Sequence, residues 1–220
     1  AGAAGGEDQV HLTGIRKAQQ LGFELGGIVR QVIPAFRISD EAIDKDVALM
    51  EKMGVEVKLN TEAPSVAELK AQGYTHIFFA VGAWKAGRLD IPGNVVPVIG
   101  WLRDMKAGKD VSLGHVAVVG GGNTAMDAAR AALRAGAKSL VYRRTKKYMP
   151  ADAEELEMAI ADGVEFLELV APVEQKDGKL ICEKMKLGDP DDKGRRQPVP
   201  TGEMVEIPCD TVVSAVGEKV

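Results

Sequence analysis

His115-Val116-Ala117-Val118-Val119-Gly120-Gly121-Gly122-Asn123-Thr124-Ala125 is a short apolar strand that runs into G-x-G-x-x-A and then into an alanine-rich helical stretch. Each small residue has a physical task. Gly120 permits a tight strand-to-helix turn, Gly122 lets backbone come close to a pyrophosphate, and Ala125 lets the helix lie against the sheet. The helix start then offers unpaired N–H groups and the positive end of its dipole to an anion. Asn123 and Thr124, at that helix start, join Gly120, Gly122 and Ala125 as candidate contacts. The ligand class read from this turn is a dinucleotide.

The residues that follow sharpen the reading. Gly136 suits a helix C-terminus. Lys138-Ser139-Leu140-Val141-Tyr142 reads as a second strand and ends in Arg143-Arg144, about 20 residues past the glycines. An NAD-specific unit places an acidic residue there for the ribose hydroxyl, whereas arginine accommodates a 2′-phosphate. A guanidinium grips phosphate through two parallel N–H bonds. Arg143 and Arg144 are therefore the candidate contacts for NADP(H), with Lys146 and Lys147 adding positive charge nearby. The alternative is an ordinary βαβ unit with a solvated basic turn.

Composition bounds the remaining classes. With 220 residues, 45% of them hydrophobic, the chain can bury the core of one large or two small domains. A net charge of −4 and a pI near 5.5 give no overall attraction to nucleic acid or to anionic membrane. No apolar run approaches the roughly 20 residues of a membrane span, so no span and a cytoplasmic location are expected. Cys182 and Cys209 form no C-x-x-C pair and cannot supply four thiolates; they read as small reduced core residues. His11, His76 and His115 show no metal spacing, so no metal site is expected. Glu154, Glu155 and Glu157 read as a solvated helix face, and Asp127 as a partner of the helix dipole. Hydride transfer between two cofactors needs no side-chain acid, base or nucleophile, so no catalytic residue is named.

Outward from the turn, further elements are legible. Ser39 or Asp40 caps a helix from Ala42 to Met53 that Gly54 stops. Val55 to Leu59 alternates as a strand. Ser65 to Gln72 and Ile99 to Ala107 read as helices, as does Ala151 to Asp162 behind Pro150. Gly26 to Ile38, punctuated by Gly and Pro, reads as loop. Leu180 to Leu187 and Val205 to Ile207 read as antiparallel strands around a polar excursion. Two apolar runs echo each other, Ile77-Phe78-Phe79-Ala80-Val81-Gly82 and Thr211-Val212-Val213-Ser214-Ala215-Val216-Gly217. Both read as buried strands ending in glycine, and they bracket the dinucleotide motif as one domain inserted in another would.

The order of these pieces resembles the glutamate synthase small-subunit-like FAD/NADP(H) oxidoreductases, and within them the selenate reductase flavoprotein branch. The stretches that carry the resemblance are Gly26-Gly27-Ile28-Val29-Arg30, Ile33-Pro34-Ala35-Phe36-Arg37, Ala80-Val81-Gly82 with Ile91-Pro92-Gly93, and Gly120 through Asp127. Val141-Tyr142-Arg143-Arg144, Met149-Pro150, Asp162-Gly163-Val164-Glu165-Phe166, Gly188 through Arg196 and Ala215-Val216-Gly217-Glu218 complete them. The resemblance implies an α/β fold of the two-dinucleotide-binding-domain kind. In it a Rossmann-like βαβ NADP(H)-binding domain, residues 98–208, is inserted in a partial FAD-type domain, residues 1–97 plus 209–220. It implies NADPH as the reductant of a flavin, with electrons passing to an iron–sulfur partner domain or subunit. Gly26, Gly27, Ala80, Gly82 and Gly217 are the candidate flavin contacts. The family's glycine-rich FAD fingerprint is not readable near Ala1, so the chain reads as a central fragment. FAD then belongs to the longer protein, and the iron–sulfur clusters lie outside this chain. Two further functions fit less of the pattern: a stand-alone nucleotide-binding module without turnover, and a flavin-free NADP-dependent dehydrogenase.

Overall fold

The computed structural model describes residues 11–13, 24–111, 114–137, 140–141, 145–192, 194 and 196–219. The chain divides into two compact units, one of residues 1–31 and 35–82, the other of residues 32–34 and 83–220.

In the first unit, β1 (His11–Thr13) pairs in parallel with β2 (Glu56–Lys58). Between them come α1 (Gly27–Gln31) and α2 (Asp40–Lys52), and α3 (Val66–Ala71) follows. Ser39 caps α2 by accepting from the Ala42 N–H, and Ser65 with Glu68 closes a full capping box on α3. These two starts fall where the sequence set them. The helix α1 lies in the segment read as loop. Its local signals are glycine at the start and proline just after, and side-chain bonds hold it instead: Arg30 donates from Nε to the Leu25 carbonyl (2.6 Å), five residues back, and from Nη2 to Asp44 (2.5 Å) on α2. On α2, Ile43, Val47 and Met50 share a face, with Leu25, Val29, Ile38 and Val57 around the same apolar hollow of about 300 Å³.

The run Ile77–Val81, read as a buried strand, forms none. Residues 74–84 have no regular secondary structure, and Phe78 is 92% and Phe79 63% exposed. An apolar run becomes a buried strand only when neighbours take up its backbone groups and cover its faces. Among the described residues no strand pairs with it.

The second unit is built on a five-stranded sheet. Its strands are β4 (Val95–Pro97), β5 (Val116–Gly120), β6 (Leu140–Val141), β7 (Phe166–Leu167) and β11 (Thr211–Ala215), in the spatial order β4-β11-β5-β6-β7 and parallel throughout. The crossovers carry α4 (Val98–Lys106), α5 (Asn123–Arg134) and α6 (Ala153–Ala161). Every residue of β5 and β11 is buried, as parallel strands covered on both faces require. The sequence reading set 211–215 with the FAD-type part. The structure instead pairs it residue for residue with 116–120, in the middle of the sheet that carries the glycine turn. A strand buried along its whole length needs a ladder on both edges, and β4 and β5 supply them.

An antiparallel layer of β8 (Val170–Lys176), β9 (Lys179–Pro190) and β10 (Arg196–Pro208) enters between β7 and β11. Here β9 and β10 are longer than their sequence signals, and β8 was not read at all. Leu180, Cys182 and Cys209 of this region pack with Ala117, Val119 and Val212 of the sheet in one buried cluster. Both thiols are free and fully covered. Burial pushes Cys182 up to about 12 and raises Cys209 as well, so neither is a thiolate at neutral pH. A short antiparallel pair, β3 (Lys85–Ala86) with β12 (Glu218–Lys219), closes the unit.

Helix α5 is buried along nearly its whole length. Ala125, Met126, Ala128, Ala129, Ala131 and Ala132 are all covered, and the small side chains let it touch the sheet, α4 and α6 together. Glycines end both α5 and α6 in the left-handed region. Gly136 has φ 92°, with the Ala137 N–H on the Ala132 carbonyl; Gly163 has φ 97°, with the Val164 N–H on the Ala159 carbonyl. Where the two helices meet, Asp162 accepts from Arg130 Nε (2.7 Å) and Arg134 Nη1 (2.8 Å).

The Arg130 hydrogen bond first, and the Arg134 bond second, hold the Asp162 carboxyl below the usual carboxylate range. A depressed folded value means stability that is complete above the unfolded pKa, about 4, and is lost as pH falls through the folded value. Asp162→Asn should cost about 1 kcal/mol at pH 7, given partial solvent screening. Urea denaturation should show that gap at pH 7 and its disappearance well below pH 4; an equal gap at both would refute the ion-pair account.

Candidate functional site

The turn from β5 into α5 gathers five of the residues singled out by sequence: Gly120, Gly122, Asn123, Thr124 and Ala125. Gly120 is glycine because of a neighbouring strand. A Cβ on it would lie 2.3 Å from the Ala215 carbonyl oxygen and 2.9 Å from the carbonyl carbon. The backbones of β5 and β11 therefore approach at their C-terminal ends more closely than any side chain allows. The sequence had assigned Gly120 to turn geometry; the close strand contact is the reason visible here.

Gly122 differs. It is the N-cap of α5, with φ −95° and ψ 177°, and a Cβ on it would meet nothing within 4 Å. Among the described residues nothing forbids a side chain there. The space in front of it is open, at the start of a helix whose first N–H groups lack intrahelical partners. Ala125 is fully buried, as close packing of the helix requires. Thr124 is half-buried and Asn123 is exposed.

The other side of the turn is pinned. The Gly121 carbonyl accepts from the Ala151 N–H at 2.9 Å. The Asn123 side chain grips Asp152 at both ends, donating from Nδ2 to the carboxylate (2.9 Å) and accepting from the Asp152 N–H (3.0 Å). Sequence reasoning missed Asp152. It carries the residue type of a helix N-cap and precedes α6, so its position was legible. Its partner lies 29 residues away and was not.

Basic residues follow β6. Lys146 and Lys147 are exposed on a 3₁₀ turn, Lys146–Tyr148, with the Lys146 N–H donated to Glu168 Oε1 at 2.6 Å. Arg143 and Arg144 lie outside the described residues. Of the flavin candidates in the first unit, Gly26 has φ 110°, and a Cβ on it would crowd Arg30 Cβ (2.9 Å) and Ile43 Cγ2 (3.1 Å). Gly27 opens α1. Ala80 and Gly82 lie on the exposed stretch without strand partners. In the second unit Gly217 separates β11 from β12, where its carbonyl accepts from the Gly87 N–H. Glu154 and Glu157 are exposed on α6, and Glu155 is half-buried. Among the described residues no group of His, Cys, Asp or Glu could hold a metal ion, and no helix is long and apolar enough to cross a membrane.

Residues 42–220 match the family of pyridine nucleotide-disulphide oxidoreductases. The chain belongs to that family. It is 41% identical to YgfK of Escherichia coli (strain K12), with 88% of this chain and 20% of the relative covered. It is 35% identical to the NADP(+)-dependent formate dehydrogenase subunit beta of Moorella thermoacetica, over 99% of this chain and 37% of that protein. The glutamate synthase [NADPH] small chain of Halomonas elongata is 33% identical, over 88% of this chain and 46% of the relative. The resemblance drawn from the motifs therefore holds, and the relatives include named oxidoreductase subunits. The chain spans less than half the length of each of these three. Among solved structures, FprA of Mycobacterium tuberculosis superposes with a TM-score of 0.67 at 20% identity, covering 87% of this chain and 61% of that one. That likeness supports a mixed α/β fold.

The two glycines separate fold from site. Gly120→Ala drives a Cβ into backbone and should cost about 2 kcal/mol or more, read as a lower melting temperature. Gly122→Ala enters open space at an allowed φ and should melt close to the wild type. Equal losses in the two variants would refute this division.

Proposed function

We propose that this chain is the NADP(H)-binding portion of a flavin-dependent oxidoreductase. The observation that carries the reading is the open face at Gly122, set at the start of a buried helix while the back of the same turn is fixed by Ala151 and Asp152. Such a face suits a pyrophosphate, because backbone N–H groups and the helix dipole meet the anion without rearrangement. Gly122, Thr124 and the α5 start would hold the pyrophosphate; Gly120 and Ala125 would keep strand and helix close enough to shape the site. Arg143 and Arg144 would grip the 2′-phosphate, a role supported by their place after the second strand of the unit. The names of two relatives, which specify NADP(+) and NADPH, support the same choice of nucleotide.

The chemistry these groups supply when bound is hydride transfer from nicotinamide to FAD, with electrons passing on to an iron–sulfur partner domain or subunit. This chain's own residues contribute position and electrostatics. In the division read from sequence, residues 98–208 bind NADP(H) and residues 1–97 with 209–220 belong to the FAD-type part. The pairing of β11 with β5 argues for drawing that boundary after Ala215. A soluble cytoplasmic enzyme is the reading that charge and hydropathy support.

Calorimetric titration tests the nucleotide assignment. NADPH should bind more tightly than NADH. Arg143→Ala with Arg144→Ala should weaken NADPH by about 3 kcal/mol, on the order of two charge-assisted contacts, and leave NADH nearly unchanged. Gly122→Val should abolish binding of both while keeping the far-UV circular dichroism. NADH binding as tight as NADPH would overturn the preference, and normal binding by Gly122→Val would move the pyrophosphate elsewhere.

A second outcome concerns the flavin. Gly26 is accounted for by its packing on Arg30 and Ile43, and Ala80 with Gly82 lies on an exposed stretch that no strand pairs with among the described residues. Scattered contacts of this kind offer no preformed site whose ordering cost is already met. The purified 220-residue chain should therefore be colourless and should not reduce dyes from NADPH. A yellow preparation with stoichiometric FAD and dye turnover would refute it.

A further inference from the structure

Asp152 is the N-cap of α6, yet its side chain makes no cap to its own helix. Asp is among the residue types best suited to that bond. The carboxylate turns away and meets Asn123 Nδ2, while Asn123 Oδ1 takes the Asp152 N–H. A third bond, Ala151 N–H to the Gly121 carbonyl, lies beside these two. Together they join Ala151 and Asp152 to Gly121 and Asn123, the residues on either side of Gly122. The local preference of Asp152 is given up for a contact across 29 residues of sequence. Asn123 in turn has both ends of its amide engaged.

We infer that Asn123 is a positioning residue for the nucleotide site, acting through Asp152 and not by touching the ligand. The inference rests on the dinucleotide reading above. By gripping Asp152, Asn123 locks the loop Met149–Asp152 against the back of the glycine turn. The turn then keeps the form in which Gly122 faces open space and the α5 N–H groups point outward. The grip has a second effect. Asp152 brings a negative charge close to a surface that must receive an anionic ligand, and the Asn123 amide ties that carboxylate down. Without the grip, the turn is free to take other forms and the carboxylate is free to occupy the helix start that a pyrophosphate needs.

The geometry provides a test by exchange. Asn123→Asp sets two carboxylates face to face and removes the amide that donates to the Asp152 carboxylate. Exchanging the pair, Asn123→Asp with Asp152→Asn, restores both hydrogen bonds at unchanged net charge, the side-chain bond in reverse: the new carboxylate at 123 accepts the backbone N–H of position 152, as before, and the new amide N–H of position 152. NADPH affinity of the whole 220-residue chain is measured by calorimetry at a temperature where every variant is folded. Asn123→Asp should weaken binding by about tenfold or more, and the exchanged pair should return to within about threefold of wild type, as contact pairs do in a coupled cycle. Hydrogen exchange at the Ala151 and position-152 amides should rise in the single variant and fall back in the pair. If the single variant loses melting temperature but keeps its affinity, the clasp only stabilises the fold and the inference is overturned. If wild type binds and the exchanged pair stays as weak as the single variant, Asn123 touches the ligand directly, which also overturns it. If wild type itself fails to bind NADPH or NADH, the nucleotide reading falls and takes this inference with it.

Discussion

The second unit depends on one close approach. At the C-terminal ends of β5 and β11 the two backbones lie so near that a methyl group on Gly120 would sit 2.3 Å from the Ala215 carbonyl oxygen. This contact sets the sheet centre, because β11 is the strand between β4 and β5. It also couples distant parts of the chain. Between β5 and β11 the chain builds α5, α6 and the whole antiparallel layer before returning. The central ladder is thus a non-local pairing, whose loop-closure cost precedes its stabilisation. Asn94 and Asp210 stitch the entry to that strand: Asn94 Nδ2 donates to the Asp210 carbonyl and Thr211 Oγ1, and Asp210 accepts the His115 N–H.

From this centre the glycine turn inherits a rigid frame. Helix α5 is held by alanines against the sheet and by Arg130 and Arg134 against the end of α6. It has little freedom to adjust to a ligand. The turn at its start then divides into a back that is bonded to 151–152 and a front that is open among the described residues. A site whose donors already point outward loses little freedom on binding an anion, which is the physical meaning of preorganisation. The acidic Asp152 sits at this place for a structural reason, as one half of the clasp.

The opposite face of the sheet is covered by the antiparallel layer. Its two cysteines lie fully buried in the cluster with Ala117, Val119 and Val212, and Cys209 donates to the Thr211 carbonyl at 3.2 Å. Burial raises both thiols, most strongly Cys182. A family whose name includes disulphide chemistry therefore meets here two cysteines that serve packing, as small apolar residues do.

By itself the sequence determined the ligand-class motif, the helices with strong caps, and the family. Ser39, Ser65, Gly54, Gly136 and the alternating or alanine-rich runs act over a few residues, so their signals are readable without a fold. What lay beyond local range was decided by tertiary structure. The same Ala-Val-Gly ending appears at Ile77–Gly82 and Thr211–Gly217, yet the second is a buried strand and the first is not, because among the described residues the second alone has a ladder on each edge. Helix α1 forms against its glycines and proline with Arg30 bonded to Asp44 on α2, a partner no local pattern encodes. The Asn123–Asp152 clasp and the true reason for Gly120 were equally hidden. Each depends on a partner that arrives from 29 or more residues away, and proximity of that kind exists only once the sheet has been assembled.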